Sequence, residues 1–554
     1  MSRYALGIDF GTLSARALIA EIGTGREAGT ASMNYAHGVM DEALPDGTRL
    51  PPDWALQHPA DYLECLSRII PEAMAQAGVG PEDIVGVGID ATSCTLVPVD
   101  ETGTPLCMLP GLAGEKHAYV KLWKHHASQE QANRMTELAE ARGEAFLARY
   151  GGRIASEWLF PKVLQTLEEA PDIYARTHRF IDLADWIVFL LTGRETRSGC
   201  LAGCKALWSR RDGYPSDDYF RALDPRLEHV VDEKLSRDLS DIFGRAGLMT
   251  EKGARLTGLN PGTAVAVAHT DAHVAMPGVG ITEPGKMLMI IGTSSVHIVL
   301  GEAERSVPGI CGVSEESVIP GVPAYEAGQS CVGDHFDWFV NNLAPAEYAR
   351  EAQARGIDLH TLFTEKAAAL RPGESGLIAL DWWNGNRSIL VDADLTGLIL
   401  GMTLTTRAEE IYRALIEATA FGTRMIIGNF EAHGVPLRAL YACGGIAQKN
   451  PFLMQLYADV LGREIRVARS AQTSALGSAI MGALAAGKQN GGYDDIATAA
   501  AEMGGVREKT YRPDQAAHAV YSRLYDEYVL LHDHFGRGAS DVMKRLKAVK
   551  RDVR

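Results

Sequence analysis

The sequence predicts an α/β protein in which two similar domains flank a catalytic cleft. Two segments carry this prediction, residues 6–16 (LGIDFGTLSAR) and residues 289–298 (MIIGTSSVHI). Each has the pattern of an apolar strand, a Gly-Thr turn with small hydroxyl residues, and a second apolar strand. Such a hairpin directs backbone N–H groups and hydroxyls toward one point, which suits a phosphate chain. Because the two copies lie in opposite halves of the chain, we expect one phosphate-holding hairpin in each domain.

This layout is typical of the actin-like (ribonuclease H-like) ATPases, which include many sugar kinases. A chain of 554 residues is long enough for at least two domains. The apolar fraction of 46% and the charged fraction of 22% are those of a globular protein in water. The net charge of −16 argues against nucleic acid as the main partner.

The lack of a predicted targeting signal and the scattered cysteines point to the cytoplasm. Asp9 interrupts the apolar N-terminus, so we predict no secretory signal. The longest uncharged apolar stretch, near 287–301, is too short to span a bilayer, so we expect no membrane association. Eight scattered cysteines favour free thiols in a reducing compartment.

We predict three regions in chain order. As in the sugar kinases of the actin-like class, residues 1–277 would form an N-terminal domain with the sugar site and one phosphate loop, and 286–490 would form a nucleotide-binding domain. Residues 491–554 form a helical extension packed on the second domain. The Gly/Pro-rich stretch 278–285 is the predicted crossover between domains.

Within the first domain, apolar periodicity predicts alternating strands and helices. The region 210–256 is charged and irregular. The predicted strands are 4–8, 15–20, 84–89 and 262–268, and the predicted helices are 59–77, 117–126, 130–150, 158–169 and 180–191.

The second domain is predicted to begin with its own hairpin. Thr406 and Glu409 have the spacing of a capping box that opens a helix. A strand at 440–442 then ends at Gly444-Gly445, and helices follow at 451–461 and 475–486. The last sixty residues have helical spacing and a charged tail.

Asp9 stands at the end of the first strand, where a carboxylate is costly without a partner. A Mg²⁺ ion that accompanies nucleotide phosphates would supply one. The alternative is an ordinary turn-forming aspartate. Gly11, Thr12, Ser14 and Arg16 follow directly and favour the phosphate interpretation. In the second hairpin, Gly292 permits close approach and Thr293 offers a donor to phosphate oxygens.

Asp271 lies in the segment His269-x-Asp271-x-His273. A kinase that phosphorylates an alcohol needs a carboxylate close to the hydroxyl proton, so we interpret Asp271 as a general base. An aspartate that caps backbone amides remains an alternative. A metal site formed by this segment is disfavoured because the sequence offers no further ligand cluster.

Several further residues allow two interpretations. Cys200 and Cys204 form a lone C-x3-C, which we interpret as buried small residues rather than as metal ligands. Gly444 and Gly445 begin a turn that can hold a nucleotide or can be a plain connection. Lys205 and Glu326 are isolated charges in apolar runs. Each is either an ordinary surface charge or, if both face one polar ligand, part of a binding site.

Longer strings identify a family resemblance. The chain resembles the FGGY carbohydrate kinases from the first strand to about residue 487. The string EWLFPK at 157–162 is similar to the first family signature, and GLILGM at 397–402 followed by 405–422 is similar to the second. The strings YAHGVMD (35–41), LPPDWALQH (50–58) and GGIAQKN (444–450) are similar to members that phosphorylate L-ribulose.

This resemblance implies roles for residues at matching motif positions. Asp271 would be the catalytic base. The phosphates and Mg²⁺ would contact Asp9, Gly11, Thr12, Ser14 and Arg16, with Asp9 on the metal and Gly292 and Thr293 as the second phosphate loop. The adenosine would contact Gly444, Gly445 and Asn450, and the sugar Ser93, Lys205, Asp271 and Glu326. Leu13 departs from the family pattern, since many relatives carry a hydroxyl residue there.

The implied activity is transfer of the γ-phosphoryl group of ATP to the 5-hydroxyl of L-ribulose, in L-arabinose breakdown. The implied cofactors are ATP and Mg²⁺, the partner is a small ketopentose, and a homodimer is one candidate assembly. A related kinase acting on another ketose or a polyol is the first alternative. A non-enzymic actin-like protein is the second, but it would not need Lys205 and Glu326 in apolar runs.

Overall fold

The computed structural model describes residues 3–553 and contains two seven-stranded mixed sheets. The first has the order β11-β12-β5-β1-β2-β3, with β13 also paired to β5, and the second has the order β16-β17-β15-β14-β20-β21-β22. The strands of the N-terminal half are β1 (Tyr4–Phe10), β2 (Ser14–Glu21), β3 (Glu27–Asn34), β4 (Leu56–Gln57), β5 (Ile84–Ala91), β6 (Leu96–Val99), β7 (Val120–Lys121), β8 (Arg179–Asp182), β9 (Arg197–Ser198), β10 (Leu239–Ser240), β11 (Arg245–Leu248), β12 (Ala264–Ala266) and β13 (His269–Thr270).

Smaller sheets complete the strand content: β4-β7-β6-β8 and β10-β9 lie in the first half, and β18-β19 lies in the second. The remaining strands are β14 (Lys286–Ile291), β15 (Ser295–Leu300), β16 (Gly312–Ile319), β17 (Val322–Gln329), β18 (Ile378–Leu380), β19 (Leu398–Leu400), β20 (Ala439–Cys443), β21 (Ile465–Ala468) and β22 (Val506–Tyr511).

Helices surround both large sheets. They are α1 (Pro59–Ala77), α2 (Gln129–Arg142), α3 (Leu159–Glu169), α4 (Pro171–Arg176), α5 (Leu183–Thr192), α6 (Gly199–Lys205), α7 (Asp217–Leu223), α8 (Val230–Lys234), α9 (Glu251–Thr257), α10 (Asp271–Val279), α11 (Gly333–Asn342), α12 (Ala346–Arg355), α13 (Leu359–Ala369), α14 (Ala408–Ala432), α15 (Gly445–Lys449), α16 (Pro451–Leu461), α17 (Thr473–Ala486), α18 (Ile496–Met503), α19 (Gln515–Gly536) and α20 (Val542–Val553). Short 3-10 helices occur at Pro81–Asp83, Leu106–Met108, Lys116–Ala118, Ala145–Tyr150, Pro225–Leu227 and Lys488–Asn490.

Helices α17 and α10 join the halves of the molecule. Helix α17 follows the second sheet in sequence, yet it packs against β1 and β5 of the first sheet and against α10. Glycines make this close packing possible: a Cβ on Gly7 would lie 1.8 Å from the Ala475 carbonyl oxygen, and one on Gly88 would lie 1.9 Å from that of Ser478. Substitution of either glycine would therefore force the helix away from the sheet.

The C-terminal region, from residue 491 onward, contacts both halves of the molecule. Strand β22 pairs with β21 and extends the second sheet, and α19 packs on α16 and β18. Helix α18 instead packs on α17 and α10.

Three predicted elements were wrong in detail. Residues 117–126 form a 3-10 turn and strand β7 instead of a helix, because Lys121 is buried there and its ammonium donates to the Lys162 carbonyl and the Thr166 hydroxyl. The predicted helix at 180–191 begins as β8, which pairs with β6. The predicted helix at 130–150 breaks at Gly143, whose φ of 67° ends α2.

The helix start near 406 is displaced by one residue. Helix α14 begins at Ala408, and the backbone N–H of Arg407 donates to the Glu410 carboxylate at 2.6 Å. The sequence pattern Thr406–Glu409 therefore located the helix start but misassigned the capping residues.

Candidate active site

Both predicted hairpins are present, one in each large sheet. Each has a three-residue turn between antiparallel strands, residues 11–13 between β1 and β2 and residues 292–294 between β14 and β15. The N–H of Gly11 donates to the Ser14 carbonyl at 3.0 Å, and the N–H of Gly292 donates to the Ser294 carbonyl at 2.9 Å. The first bond spans three residues and the second spans two, and Phe10 pairs with Ala15 whereas Ile291 pairs with Ser295. The two turns are therefore similar in length and position but differ by one residue in register.

The first turn is held by side chains of the N-terminal half. The Trp123 indole N–H donates to the Thr12 hydroxyl at 3.0 Å, and the Gln57 amide donates to the Thr12 carbonyl at 2.8 Å. The Thr12 hydroxyl remains able to donate to a phosphate oxygen. Leu13 stands at the tip with 60% of its surface exposed.

Three aspartates meet at one edge of the first sheet. Strands β1, β5 and β13 run parallel, with Asp9 opposite Asp90 and His269 also opposite Asp90. Asp271 follows β13 directly and opens α10. Because carboxyl ends of parallel strands share one edge of a sheet, this register brings Asp9, Asp90 and Asp271 together.

The crowding of these carboxylates shows in their proton affinity. Burial and the neighbouring Asp9 raise the pKa of Asp271 to about 7. Burial and Asp9 also raise the pKa of Asp90 well above its usual range. The Ser478 hydroxyl of α17 donates to Asp90 Oδ2 at 2.5 Å, while Asp90 Oδ1 is buried without a hydrogen-bond partner among the described residues. A divalent cation would relieve this accumulation of acidic groups.

Asp9 already has one cationic partner. Arg16 lies opposite it across the hairpin, and Arg16 Nη1 donates to Asp9 Oδ2 at 2.9 Å. The Arg16 side chain is 43% exposed, so its remaining donors can reach a ligand in the cleft.

The two isolated charges of the sequence form a buried ion pair. Lys205 ends α6 and Glu326 lies on β17, and Lys205 Nζ is 2.9 Å from Glu326 Oε1 with 8% of each side chain exposed. Burial opposes ionisation of Glu326, but Lys205, His273 and Arg387 outweigh it and lower its pKa to about 2. Both groups therefore carry charge at neutral pH, and Lys205 and Glu326 also act electrostatically on Asp271.

Ser93 lies in the tight turn between β5 and β6, beside Cys94 with its φ of 56°. Lys162 is completely buried, and its ammonium donates to the Cys94 carbonyl at 2.7 Å and to the Leu122 carbonyl at 2.8 Å. These bonds fix the turn that carries Ser93.

The Gly444-Gly445 turn lies beside the second hairpin, since β20 runs parallel to β14 with Cys443 opposite Ile290. Gly444 has φ of 94°, and a Cβ there would lie 2.5 Å from the Ile291 carbonyl oxygen, so this position requires glycine. A Cβ on Gly445 would meet open space. Asn450 caps α16, because its side-chain oxygen accepts from the Leu453 N–H at 3.0 Å.

The structure brings His273 to the two cysteines of α6. Potential ligand atoms of Cys200, Cys204 and His273 lie within 4.8 Å of one another. Yet Cys204 Sγ is 3.6 Å from Nδ1 and 3.7 Å from Nε2 of His273, so the sulfur stands over the ring face. A metal binds a ring nitrogen in the ring plane, and this geometry therefore favours packing over a shared ion.

Sequence reasoning assigned no role to four residues that the structure places at the site. Asp90 could have been found, since its strand ends like that of Asp9. Glu157 and Lys162 lie in the string EWLFPK, which resembles the first family signature, but the sequence indicated no role for either residue. Arg387, which approaches Glu326 Oε1 at 3.5 Å, carried no sequence signal.

Comparison with known families decides the class of protein. The model of the N-terminal domain of the FGGY family of carbohydrate kinases matches residues 4–278, and that of the C-terminal domain matches residues 287–486. The chain belongs to the FGGY family of carbohydrate kinases. The predicted family resemblance is thereby confirmed.

FGGY relatives match over nearly the whole chain. A Bacillus licheniformis protein named ribulokinase is 57% identical over 539 residues, which cover 97% of this chain and 98% of the relative. A Mycolicibacterium smegmatis protein of the same name is 48% identical over 551 residues, covering 99% of this chain and 96% of the relative.

Solved structures confirm the fold. A xylulose kinase from Rhodospirillum rubrum superposes with a TM-score of 0.75 at 23% identity, covering 96% of this chain and 98% of that one. A Plasmodium falciparum glycerol kinase with ADP gives 0.74 at 17% identity, covering 95% and 98%. The predicted two-domain, actin-like α/β fold is therefore correct.

Proposed function

We propose that this FGGY kinase transfers the γ-phosphoryl group of ATP to the 5-hydroxyl of L-ribulose, giving L-ribulose 5-phosphate in L-arabinose breakdown. The observation that carries the choice of sugar is the full-length similarity to relatives named ribulokinase. The site supports the reaction class, because a phosphate hairpin from each half and a carboxylate of raised pKa accompany a buried Lys–Glu pair.

In this proposal Asp271 is the general base. It is partly exposed at the start of α10, where the charges of Asp9, Lys205 and Glu326 all act on it. A carboxylate there would accept the proton of the attacking 5-hydroxyl as the oxygen–phosphorus bond forms. Lys205, Glu326 and Ser93 would bind other sugar oxygens and orient the hydroxyl.

The phosphate chain would lie between the two hairpins. Gly11, Thr12, Ser14 and Arg16 of the first turn and Gly292 and Thr293 of the second offer N–H, hydroxyl and guanidinium donors to it. Gly444 and Gly445 would face the adenosine. The side-chain oxygen of Asn450 caps α16. Its side-chain NH2 group would therefore make the proposed contact to the adenosine.

The acidic edge fits Mg²⁺. Asp9 would hold the ion, directly or through water, with the orphaned Oδ1 of Asp90 beside it. When bound, Mg²⁺ supplies charge neutralisation to the phosphate oxygens.

Sugar-dependent release of ADP tests the proposal. We expect kcat/KM to be highest for L-ribulose when pentuloses, pentitols and glycerol are compared in a coupled assay. Negligible ATP turnover is expected without sugar, because binding of the substrate completes the site. A higher kcat/KM for a polyol or for another ketose would overturn the substrate assignment while leaving the family membership intact.

The rate should depend on pH through Asp271. The base form is required, so kcat/KM for the ketose should fall about tenfold per pH unit below the pKa of Asp271. Since that pKa is about 7 and Mg²⁺ beside Asp9 would lower it, the fall should begin at or below pH 7. A rate that rises as the pH drops from 7 to 5 would contradict a basic role for Asp271.

All eight cysteines are free thiols, which fits a reducing compartment, and we place the enzyme in the cytoplasm. No helix within residues 3–553 combines the length and apolarity that a membrane crossing requires. A homodimer stays a prediction, which sedimentation would test.

A further inference from the structure

Four charged side chains form a continuous chain beside the proposed sugar site. Lys205 Nζ lies 2.9 Å from Glu326 Oε1, and Arg387 Nη2 lies 3.5 Å from the same oxygen. Arg387 Nη2 is also 3.6 Å from Glu157 Oε2. At most 16% of any of the four side chains is exposed, so water screens these charges poorly.

The chain of charges crosses between the two halves of the protein twice. Lys205 and Glu157 belong to the N-terminal family region, whereas Glu326 and Arg387 belong to the C-terminal one. Each half therefore contributes one cation and one anion. Because each contribution is neutral, neither half adds an unbalanced charge to this group. The contact to Lys205 holds Glu326 against the first half, and the contact to Glu157 holds Arg387 there.

The guanidinium of Arg387 has capacity for a further partner. Its distances to the two carboxylates, 3.5 and 3.6 Å, exceed the about 2.7–2.9 Å of a charge-assisted hydrogen bond. A guanidinium carries five N–H donors in a planar fork. With 15% of its side chain exposed, Arg387 can offer donors to a polyhydroxylated ligand that also contacts Glu326.

Glu157 is placed to hold this guanidinium. It stands just before α3, the helix whose Lys162 fixes the Ser93 turn. Burial opposes its ionisation, but Arg387, together with His126, Lys205 and Lys162, outweighs burial and lowers the pKa of Glu157. Glu157 is thus an anion at neutral pH and orients the Arg387 fork from the first half of the molecule.

We propose that Arg387 is a further sugar-contacting residue and that Glu157 positions it, so that the ketose is bound by a cross-domain Lys–Glu–Arg–Glu chain. This inference rests on the proposed ketose kinase function. It assigns recognition of the sugar to a loop between β18 and β19 as well as to α6 and β17.

Kinetics of Arg387→Gln and Glu157→Gln test the inference. Each variant should raise KM for L-ribulose about tenfold or more, as for loss of a hydrogen bond to a charged group, with KM for ATP within about twofold. The rise in melting temperature on adding each ligand should show the same difference. L-ribulose should no longer raise the melting temperature of the variants, whereas Mg²⁺–ATP should still raise it. Because the two residues act as a unit, the double variant should be little worse than Arg387→Gln alone.

A matched control is Arg210→Gln. Arg210 also pairs across the two halves, with Arg210 Nε 2.8 Å from Glu316 Oε1, but it does not touch Glu326. Its KM for the ketose should stay at the wild-type value. If Arg387→Gln does not fold, Arg387→Lys keeps the charge without the planar fork and allows the same comparison.

The outcomes separate the two claims. Absence of ketose-dependent ADP release by the wild type would overturn the proposed function and this inference with it. An active wild type with unchanged ketose KM in both variants would overturn the inference alone. Equal increases in KM for the ketose and in KM for ATP would also overturn the inference, since they would indicate a purely structural role.

Discussion

Replacing Asp271 with asparagine is expected to lower kcat by roughly 10²–10⁴-fold, the usual contribution of a general base. The amide has nearly the same shape as the carboxylate but cannot accept the hydroxyl proton. Binding of Mg²⁺–ATP should change little, because the hairpins that would hold the phosphates remain intact. Steady-state kinetics with L-ribulose, together with nucleotide binding by calorimetry, measure both quantities.

Asp495→Asn is a suitable control for this substitution. Asp495 also begins a helix, where it accepts from the Thr498 N–H at 2.7 Å, but it lies at α18 outside the site. That variant should keep wild-type kcat. Near-normal turnover by Asp271→Asn would instead support the capping alternative, in which Asp271 only accepts from the N–H of Ala272.

Removal of Lys205 is the second change with a large expected effect. Lys205→Ala deletes a donor to the sugar and leaves Glu326 with the more distant Arg387 at 3.5 Å and His273 at 4.0 Å. Loss of a hydrogen bond to a charged group is worth about 1.5–3 kcal/mol, so KM for the ketose should rise by roughly 10–150-fold. Glu326→Gln should act in the same direction, with ATP affinity retained.

Lys286→Ala serves as the control, because Lys286 pairs with the exposed Glu283 at 3.0 Å, away from the cleft. Exposed pairs contribute about 0–1 kcal/mol, so its kinetics should match the wild type. An unchanged ketose KM in both Lys205→Ala and Glu326→Gln would return these charges to a purely structural role.

The parts of the fold that the sequence predicted are those set by local pattern. Helix α1 matches the predicted range 59–77, and α16 matches 451–461, because apolar spacing and caps agree there. The segment 117–126 could not be predicted, since its strand depends on the burial of Lys121 against α3. The packing of α17 on the first sheet is likewise a long-range contact that no local pattern contains.

The site followed a similar division. Asp9, Asp271 and the two hairpins were predicted because each follows an apolar strand, which is a local pattern. That Asp9 and Asp271 share one edge of the first sheet came from the strand register. The pairing of Lys205 with Glu326 was anticipated only as two charges facing one ligand. Arg387 lies in an irregular segment, and its approach to Glu157 depends on how the two halves meet, which the sequence does not reveal.

The position of the new phosphate on the sugar tests the central claim most directly. The product formed from L-ribulose and ATP would be examined by carbon-13 NMR, in which a bonded phosphate splits the signals of nearby carbons. We predict phosphorus coupling at carbon 5 and its absence when Asp271→Asn is assayed for the same time. Coupling at carbon 1, or a sugar recovered without phosphate while ATP is hydrolysed, would contradict the claim.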